Sequence, residues 1–478
     1  MEIQILSSRE GVIRKGMSAD PQPNIQIYTY YSVQFCRYCT TAPLLRLKHI
    51  IKKFTGQYLS LAIILKNIGW YKNVRMQIKI HHAILNAAIL RHAFPVLCDW
   101  RDGMKINIRN ISPDPFDPNR SLPDPLDMAK ASCETMMRKF AAPDLPPRQE
   151  FCYHAGVFLS GMHHVWKLCG DDRYMEYIRD WAEAATREDG SVIHYDPGRL
   201  DDIQPGILFY PLLDFYRKKR YRATLDLLMG DIERYPRNED GGFWHMSCLP
   251  HQMWLDGLYM GGPVVLEYAR RFHRPDLAAM MVTEVKRMKE HCEVREKGLW
   301  KHAWDESRKA PWADPVTDRS PEFWGRAMGW VPVAILDDCE QLPAESEDTR
   351  WLENTVAELL TGICRYQSEE GRWYQVLDKG GQAGNWLENS CSSLFAAALF
   401  RAVRKGILPD TYLGNAWKAY GAVVRSLTWE GDDLLIGNVC IGTGVGDYAH
   451  YCSRPVSVND LHGVGAFLLM CAEAAKLR

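Results

Sequence analysis

From Pro125 onward the chain alternates helix-length amphipathic segments with short glycine- or acid-led turns, and this alternation limits the folds open to it. Apolar residues recur at helical spacing in twelve segments: 127–141, 154–168, 171–187, 203–217, 221–234, 252–272, 275–291, 322–341, 348–366, 387–405, 411–426 and 460–476. After alternate helices comes a turn with an apolar or aromatic run. These are Gly190-Ser191-Val192-Ile193-His194, Gly242-Phe243-Trp244-His245, Gly298-Leu299-Trp300-Lys301-His302, Gly371-Arg372-Trp373-Tyr374 and Asp433-Leu434-Leu435-Ile436-Gly437. Successive turns start 52 to 73 residues apart, the length of one helical hairpin with its loops. A hairpin that exposes one apolar face must stack on its neighbours or close with them into a ring. Six hairpins closing on themselves make an all-α (α/α)6 barrel; an open solenoid is the alternative. In the closed form the repeated turns gather at one end, which becomes the mouth of a site. Strand signals are confined to short pieces such as Trp373–Leu377.

Residues 1–124 have a different character. The first 120 carry 17 Lys and Arg against 7 Asp and Glu, whereas the remainder carries 41 against 52. A basic helix-like patch at 45–53 and a possible helix at 80–92 precede Ser112-Pro113-Asp114-Pro115-Phe116-Asp117-Pro118. Proline at that density, extended by Pro123 and Pro125, excludes regular structure. The expected division is a basic segment of 1–124 and a helical unit of 125–478. A net charge of −1 argues against a general nucleic-acid binder. The start lacks a positive region followed by an apolar run, so no signal peptide is expected. The longest apolar patch, Leu59–Leu65, is far short of a membrane span. The fourteen cysteines are scattered along the chain, as in a reduced, cytoplasmic protein. No zinc-type spacing is evident, and neither metal nor cofactor is expected.

Asp256 sits in His251-Gln252-Met253-Trp254-Leu255-Asp256-Gly257-Leu258-Tyr259-Met260, among aromatics and methionines. Lost hydration there raises its pKa, and a carboxylic acid that keeps its proton can serve as a general acid. Flat faces such as Trp254 suit the packing of sugar rings. The plain alternative is a buried, hydrogen-bonded Asp at a helix start. Asp201 and Asp202 open a predicted helix, either as N-caps or as a second carboxylate facing Asp256. His245 and His302 end two equivalent turns and so converge on one mouth; His251 lies among the same aromatics. Arg326, between Trp324 and Trp330, offers a bidentate fork for a substrate carboxylate, or pairs internally. Asn459 or Asp460 is a plausible N-cap for the last helix. The run Gly442-Thr443-Gly444-Val445-Gly446-Asp447 resembles a phosphate loop only superficially, lacking the lysine and the strand-loop-helix context.

Taken together, LDDIQPG, GGFWH, HQMWLDGLYM, KHAWDE, WGRAMGW, GRWYQVLD, GNWLENSCSSLFAAAL and NDLHGVGAFLL resemble glycoside hydrolase family 105. These unsaturated rhamnogalacturonyl hydrolases are related to the unsaturated glucuronyl hydrolases of family 88. The motifs stand in family order and cover 125–478. The resemblance implies an (α/α)6 barrel and a substrate oligosaccharide left by a pectin lyase. Its non-reducing end is a 4,5-unsaturated uronic acid. The general acid protonates C-4 of the enol ether, water adds at C-5, and the hemiketal opens to release a 4-deoxy-5-keto uronate. By the same resemblance Asp256 is the acid/base and Asp201 the second acid, with Asp202 leaving the register open. His245, His302, Trp324, Arg326 and Trp330 bind substrate, together with Trp254 and Tyr153. Phe151 replaces the first aromatic of the family's early W-x-Y-x-x-G segment, here Phe151-Cys152-Tyr153-His154-Ala155-Gly156. Ala327-Met328 departs from the usual small or polar pair. Residues 1–120 have no family counterpart and are either an accessory segment or translated sequence upstream of the true start. The rival readings are a glucuronyl hydrolase acting on other lyase products, an inverting glycosidase on saturated sugars, an epimerase using His245 and His302, and a non-catalytic sugar-binding toroid. None needs a nucleic-acid or membrane partner.

Overall fold

The computed structural model describes residues 122–147 and 150–478. The basic segment, its helix-like patches at 45–53 and 80–92, and the proline run at 112–118 lie outside the described residues.

The described residues form thirteen α-helices: α1 (Pro125–Lys139), α2 (Tyr153–Cys169), α3 (Asp172–Ala185), α4 (Phe209–Tyr216), α5 (Lys219–Arg234), α6 (Asp256–Arg271), α7 (Pro275–Cys292), α8 (Gly325–Gln341), α9 (Glu347–Cys364), α10 (Asn389–Arg404), α11 (Leu413–Arg425), the short α12 (Tyr448–Cys452) and α13 (Leu461–Ala475). The predicted all-α barrel is present. Starts and stops follow local chemistry. Asp124 caps α1, accepting from the amides of Leu126 and Asp127, with Pro125 at the first helical position. Gly170 at φ +68° ends α2 in the left-handed conformation that glycine adopts freely.

Burial separates an inner ring from an outer one. In α10 every residue from Asn389 through Val403 is buried, as expected of a helix surrounded by protein. By contrast α3 buries one face: Tyr174, Met175, Tyr177, Ile178, Trp181 and Ala182. α2, α13, α10, α8 and α6 pack side by side in that order. The gap between α6 and α2 is filled by the 3-10 segment Gln204–Leu208 and α4, while α1 lies against α13. The ring closes where α2 meets α13. There a Cβ on Gly465 would come within 2.5 Å of the Val157 carbonyl oxygen, so no larger residue fits without movement.

Two predicted helices begin later than periodicity suggests. Residues 203–208 form 3-10 turns, and α4 starts only at Phe209. Gly206 is pressed against Leu228 and Val264, where a Cβ would come within 2.7 and 2.9 Å. The predicted helix at 252 instead opens with strand β1 (Gln252–Trp254), paired antiparallel with β4 (Ala303–Asp305). The backbone groups of 252–254 are satisfied across this ladder, which leaves Asp256 as the first residue of α6. Strands β5 (Trp373–Tyr374) and β6 (Leu387–Glu388) form a similar ribbon before α10, and β9 (Val439–Cys440) with β10 (Val456–Ser457) one before α13. All five repeat turns follow outer helices and precede inner ones, so they crowd one end of the barrel. Among the described residues no helix is long and apolar enough to cross a membrane, and the cysteines are unpaired.

Candidate active site

At that end, Asp256 is fixed by the β1–β4 ribbon. The Leu255 amide donates to the His302 carbonyl at 2.9 Å, placing two repeat turns side by side. His302 is fully buried; its Nε2 lies 2.9 Å from Asp256 Oδ2, and its Nδ1 2.6 Å from the Tyr451 hydroxyl. The Gly446 amide donates to the same hydroxyl at 3.1 Å. A phenol that accepts from an amide still has its own proton to give. With the Tyr451 hydroxyl donating to Nδ1, the His302 ring proton on Nε2 is aimed at Asp256.

This arrangement corrects the expected charge state of Asp256. Burial alone would raise its pKa. The His302 hydrogen bond, helped by the nearby Arg326 guanidinium, outweighs burial and holds the carboxyl below its ordinary value. Asp201 is pushed up to about 7 by burial and then by the charge of Asp256, with Arg199 opposing, and burial pushes Asp202 up to about 7 as well. Asp201 Oδ1 lies 3.6 Å from His245 Nε2, and Arg199 reaches 4.0 Å from Oδ2. Asp202 is turned away: its Oδ2 accepts from the Asp196 amide at 3.3 Å. The acid facing the His245 side is Asp201. Both acids sit in the 3-10 turn Leu200–Asp202, and neither caps a helix.

His245 stacks on Trp254 with centroids 4.4 Å apart and planes 15° from parallel, and burial pushes its pKa down to about 4. It is a neutral ring near neutral pH. Trp324 lies under His302, centroids 4.8 Å apart, and stacks on Tyr451 at 5.5 Å. Tyr153 lines the same region within electrostatic reach of Arg326, Asp201 and Asp256. His251 stands at the rim, paired with Glu306 at 2.9 Å and tilted over Trp244.

Two predicted binding residues have other duties. Arg326 is buried over the Trp324 ring, and its two terminal nitrogens donate to the carbonyls of Cys440 and Ile441. The fork expected to clasp a substrate carboxylate holds backbone instead, and its charge acts on Asp256 from behind. Trp330, one turn further along α8, is fully buried and stacks on Tyr259 at 4.7 Å. It is core, removed from the mouth because four residues carry it down the same helix face.

Sequence reasoning missed Tyr451 and the 442–446 loop. A Cβ on Gly444 would lie 3.6 Å from the Trp254 ring, and one on Gly442 would lie 3.3 Å from the Tyr153 hydroxyl. The glycine run is thus a strip of backbone laid over aromatic side chains. The only signal for it was the glycine density itself.

Comparison with known proteins agrees with this fold. Residues 128–478 match the model of Glycosyl Hydrolase Family 88. A solved C. acetobutylicum ATCC 824 glycoside hydrolase from family 105 is 30% identical, with a TM-score of 0.70, over 73% of this chain and 99% of that one. The 24.9 kDa protein in the picA locus of Rhizobium radiobacter is 34% identical over 46% of this chain and 99% of its own length. An unsaturated 3S-rhamnoglycuronyl hydrolase of Formosa agariphila is 22% identical over 67% of this chain and 84% of its own. The chain belongs to Glycosyl Hydrolase Family 88 and is a glycosidase.

Proposed function

We propose that this glycosidase hydrates the enol-ether double bond of a 4,5-unsaturated uronic acid at the non-reducing end of lyase-generated rhamnogalacturonan or other pectin oligosaccharides. The catalytic unit is 125–478. The observation that carries the reading is the pair of buried carboxyls held in different protonation states, Asp201 near 7 and Asp256 low. Such a split is what acid and base roles in one pocket require. Asp201 keeps a proton near neutral pH and gives it to C-4. Ionised Asp256, held by His302, takes the proton from the water that adds at C-5. The C-5 hemiketal then opens, the glycosidic bond breaks, and the 4-deoxy-5-keto uronate leaves. This divides between two residues the task that the family resemblance gives wholly to Asp256. Trp254, Trp324 and Tyr153 supply flat and polar faces for the ring. Arg199, whose guanidinium is partly exposed beside Asp201, meets the uronate carboxylate. The unsaturated 3S-rhamnoglycuronyl hydrolase relative supports the substrate class. The unpaired cysteines support a cytoplasmic setting.

The purified protein is to be assayed on lyase-digested rhamnogalacturonan by loss of the absorbance of the conjugated double bond. Loss on that substrate, with none released from saturated oligosaccharides, is expected. Unchanged absorbance on every lyase product tried overturns the reading. Release from saturated chains transfers it to an ordinary inverting glycosidase, and binding without turnover to a sugar-binding module.

A further inference from the structure

Where the ring closes, the start of α2 and the start of α13 bring His154, Asp460 and His462 together. One ring nitrogen from each histidine and one Asp460 oxygen lie within 4.8 Å of one another. His462 is fully buried, and its Nε2 lies 3.0 Å from the Cys440 carbonyl oxygen. A carbonyl only accepts, so Nε2 carries a proton and a neutral ring presents a bare lone pair at Nδ1. That Nδ1 is 2.7 Å from Asp460 Oδ1. Two acceptor atoms held so close call for a proton or a metal ion that both can face. His154 adds a third donor: its Nδ1 is 3.6 Å from Cys152 Sγ, which leaves its other nitrogen free.

We propose that His154, Asp460 and His462 bind one divalent transition metal ion, with the Cys440 carbonyl orienting the His462 ring. Two imidazoles and one carboxylate suit Zn2+, and a ligating histidine that donates its other N–H to a backbone carbonyl is the usual support. The ion clips the first inner helix to the last, across the seam where α2 meets α13. The Cys440 carbonyl also accepts from Arg326, which ties the cluster to the Asp256 pocket. The site stands whatever sugar the enzyme acts on. Sequence spacing hides it, because one ligand comes from residue 154 and two from near the end of the chain.

The test uses the full chain, stripped with chelator and dialysed against Zn2+ or Co2+. One equivalent of metal by mass spectrometry is expected, with a cobalt d–d absorption band and a raised Tm. His462 is fully buried, so its replacement reports folding as much as ligation. His154→Gln and Asp460→Asn are the informative variants. Each is expected to weaken binding by more than about tenfold while circular dichroism stays unchanged. Less than stoichiometric metal in the native chain overturns the proposal, as an Asp460–His462 ion pair alone would give. Binding untouched by both substitutions overturns it equally, because the metal then sits elsewhere.

Discussion

His302 Nε2 stands 2.9 Å from Asp256 Oδ2, inside a pocket whose burial would otherwise protonate that carboxyl. The base form of Asp256 therefore depends on His302. With His302→Gln the lowering contacts are weakened and burial prevails, so the Asp256 pKa rises. Activity that needs ionised Asp256 is lost as pH falls through that pKa. The acidic limb of kcat/KM is expected to move to higher pH in the variant. Asp256→Asn, by contrast, is expected to fold normally and lose nearly all turnover at every pH. An unmoved acidic limb in His302→Gln would show that the histidine does not set the carboxyl.

Asp201 makes the opposite prediction. Its folded pKa, about 7, exceeds the roughly 3.9 of an unfolded Asp. Between those values the folded state binds more protons than the unfolded one, so this group's contribution to stability falls as pH rises through the window. Asp201→Asn removes that dependence. The variant is expected to gain roughly 1–4 kcal/mol relative to the native chain on going from pH 4 to pH 8, while turnover collapses. Denaturant titrations at the two pH values measure the first effect. In the native enzyme the same pKa is expected as a basic limb of kcat/KM near pH 7.

Tyr451→Phe keeps the ring stacked on Trp324 and removes the hydroxyl that pairs with His302 Nδ1 and accepts from the Gly446 amide. His302 is then free to take the other tautomer or turn its ring, and Asp256 loses its partner. A fall in kcat of about 10- to 100-fold is expected, in line with the loss of supporting hydrogen bonds elsewhere, with KM little changed. A rise in KM alone would assign Tyr451 to substrate contact.

The barrel was legible because its two rings write different patterns: amphipathic outer helices, and inner ones such as α10 that are apolar or small almost throughout. The late starts were less so. Gln252–Trp254 carries helical periodicity, yet its partner is Ala303–Asp305, about 50 residues away, and no local signal announces a ladder. The site shows the same division. His245 and His302 stood out because repeat-equivalent turns must converge, Asp256 by its aromatic neighbours and Asp201 by the family resemblance, and the structure brings the four together. The charge of Asp256 was misjudged because desolvation can be read from neighbours in sequence, whereas a His302–Tyr451 relay spanning 149 residues cannot. Arg326 was assigned to substrate because nothing in WGRAMGW reveals that the Cys440 and Ile441 carbonyls take its fork.

At the seam of the ring, Gly465→Ala places a methyl group against the Val157 backbone, which cannot rotate away as a side chain would. The variant is expected to lose about 1–3 kcal/mol, as overpacked cores do, seen as a lower Tm with pocket chemistry intact. Gly170→Ala, whose added Cβ would meet nothing within 4 Å, is strained by its φ alone and makes the comparison.

Trp254 and Trp330 separate mouth from core. Both flank sugar-site motifs in sequence, but Trp254 stacks on His245 beneath the 442–446 loop, and Trp330 is sealed against Tyr259. Trp254→Leu removes a face of the pocket and leaves most of the barrel packing in place. Its expected effect is a drop in kcat/KM of at least about tenfold, with Tm within a few degrees of the native chain. Trp330→Leu leaves a void among inner helices, costing roughly 2–4 kcal/mol, short of the ~3–5 of truncation to alanine. Its KM is expected to stay within about twofold, since no ligand contact is lost. Steady-state kinetics and thermal melts on the two variants side by side check both statements. A Trp330→Leu enzyme with a normal Tm and a raised KM would return that residue to the binding site.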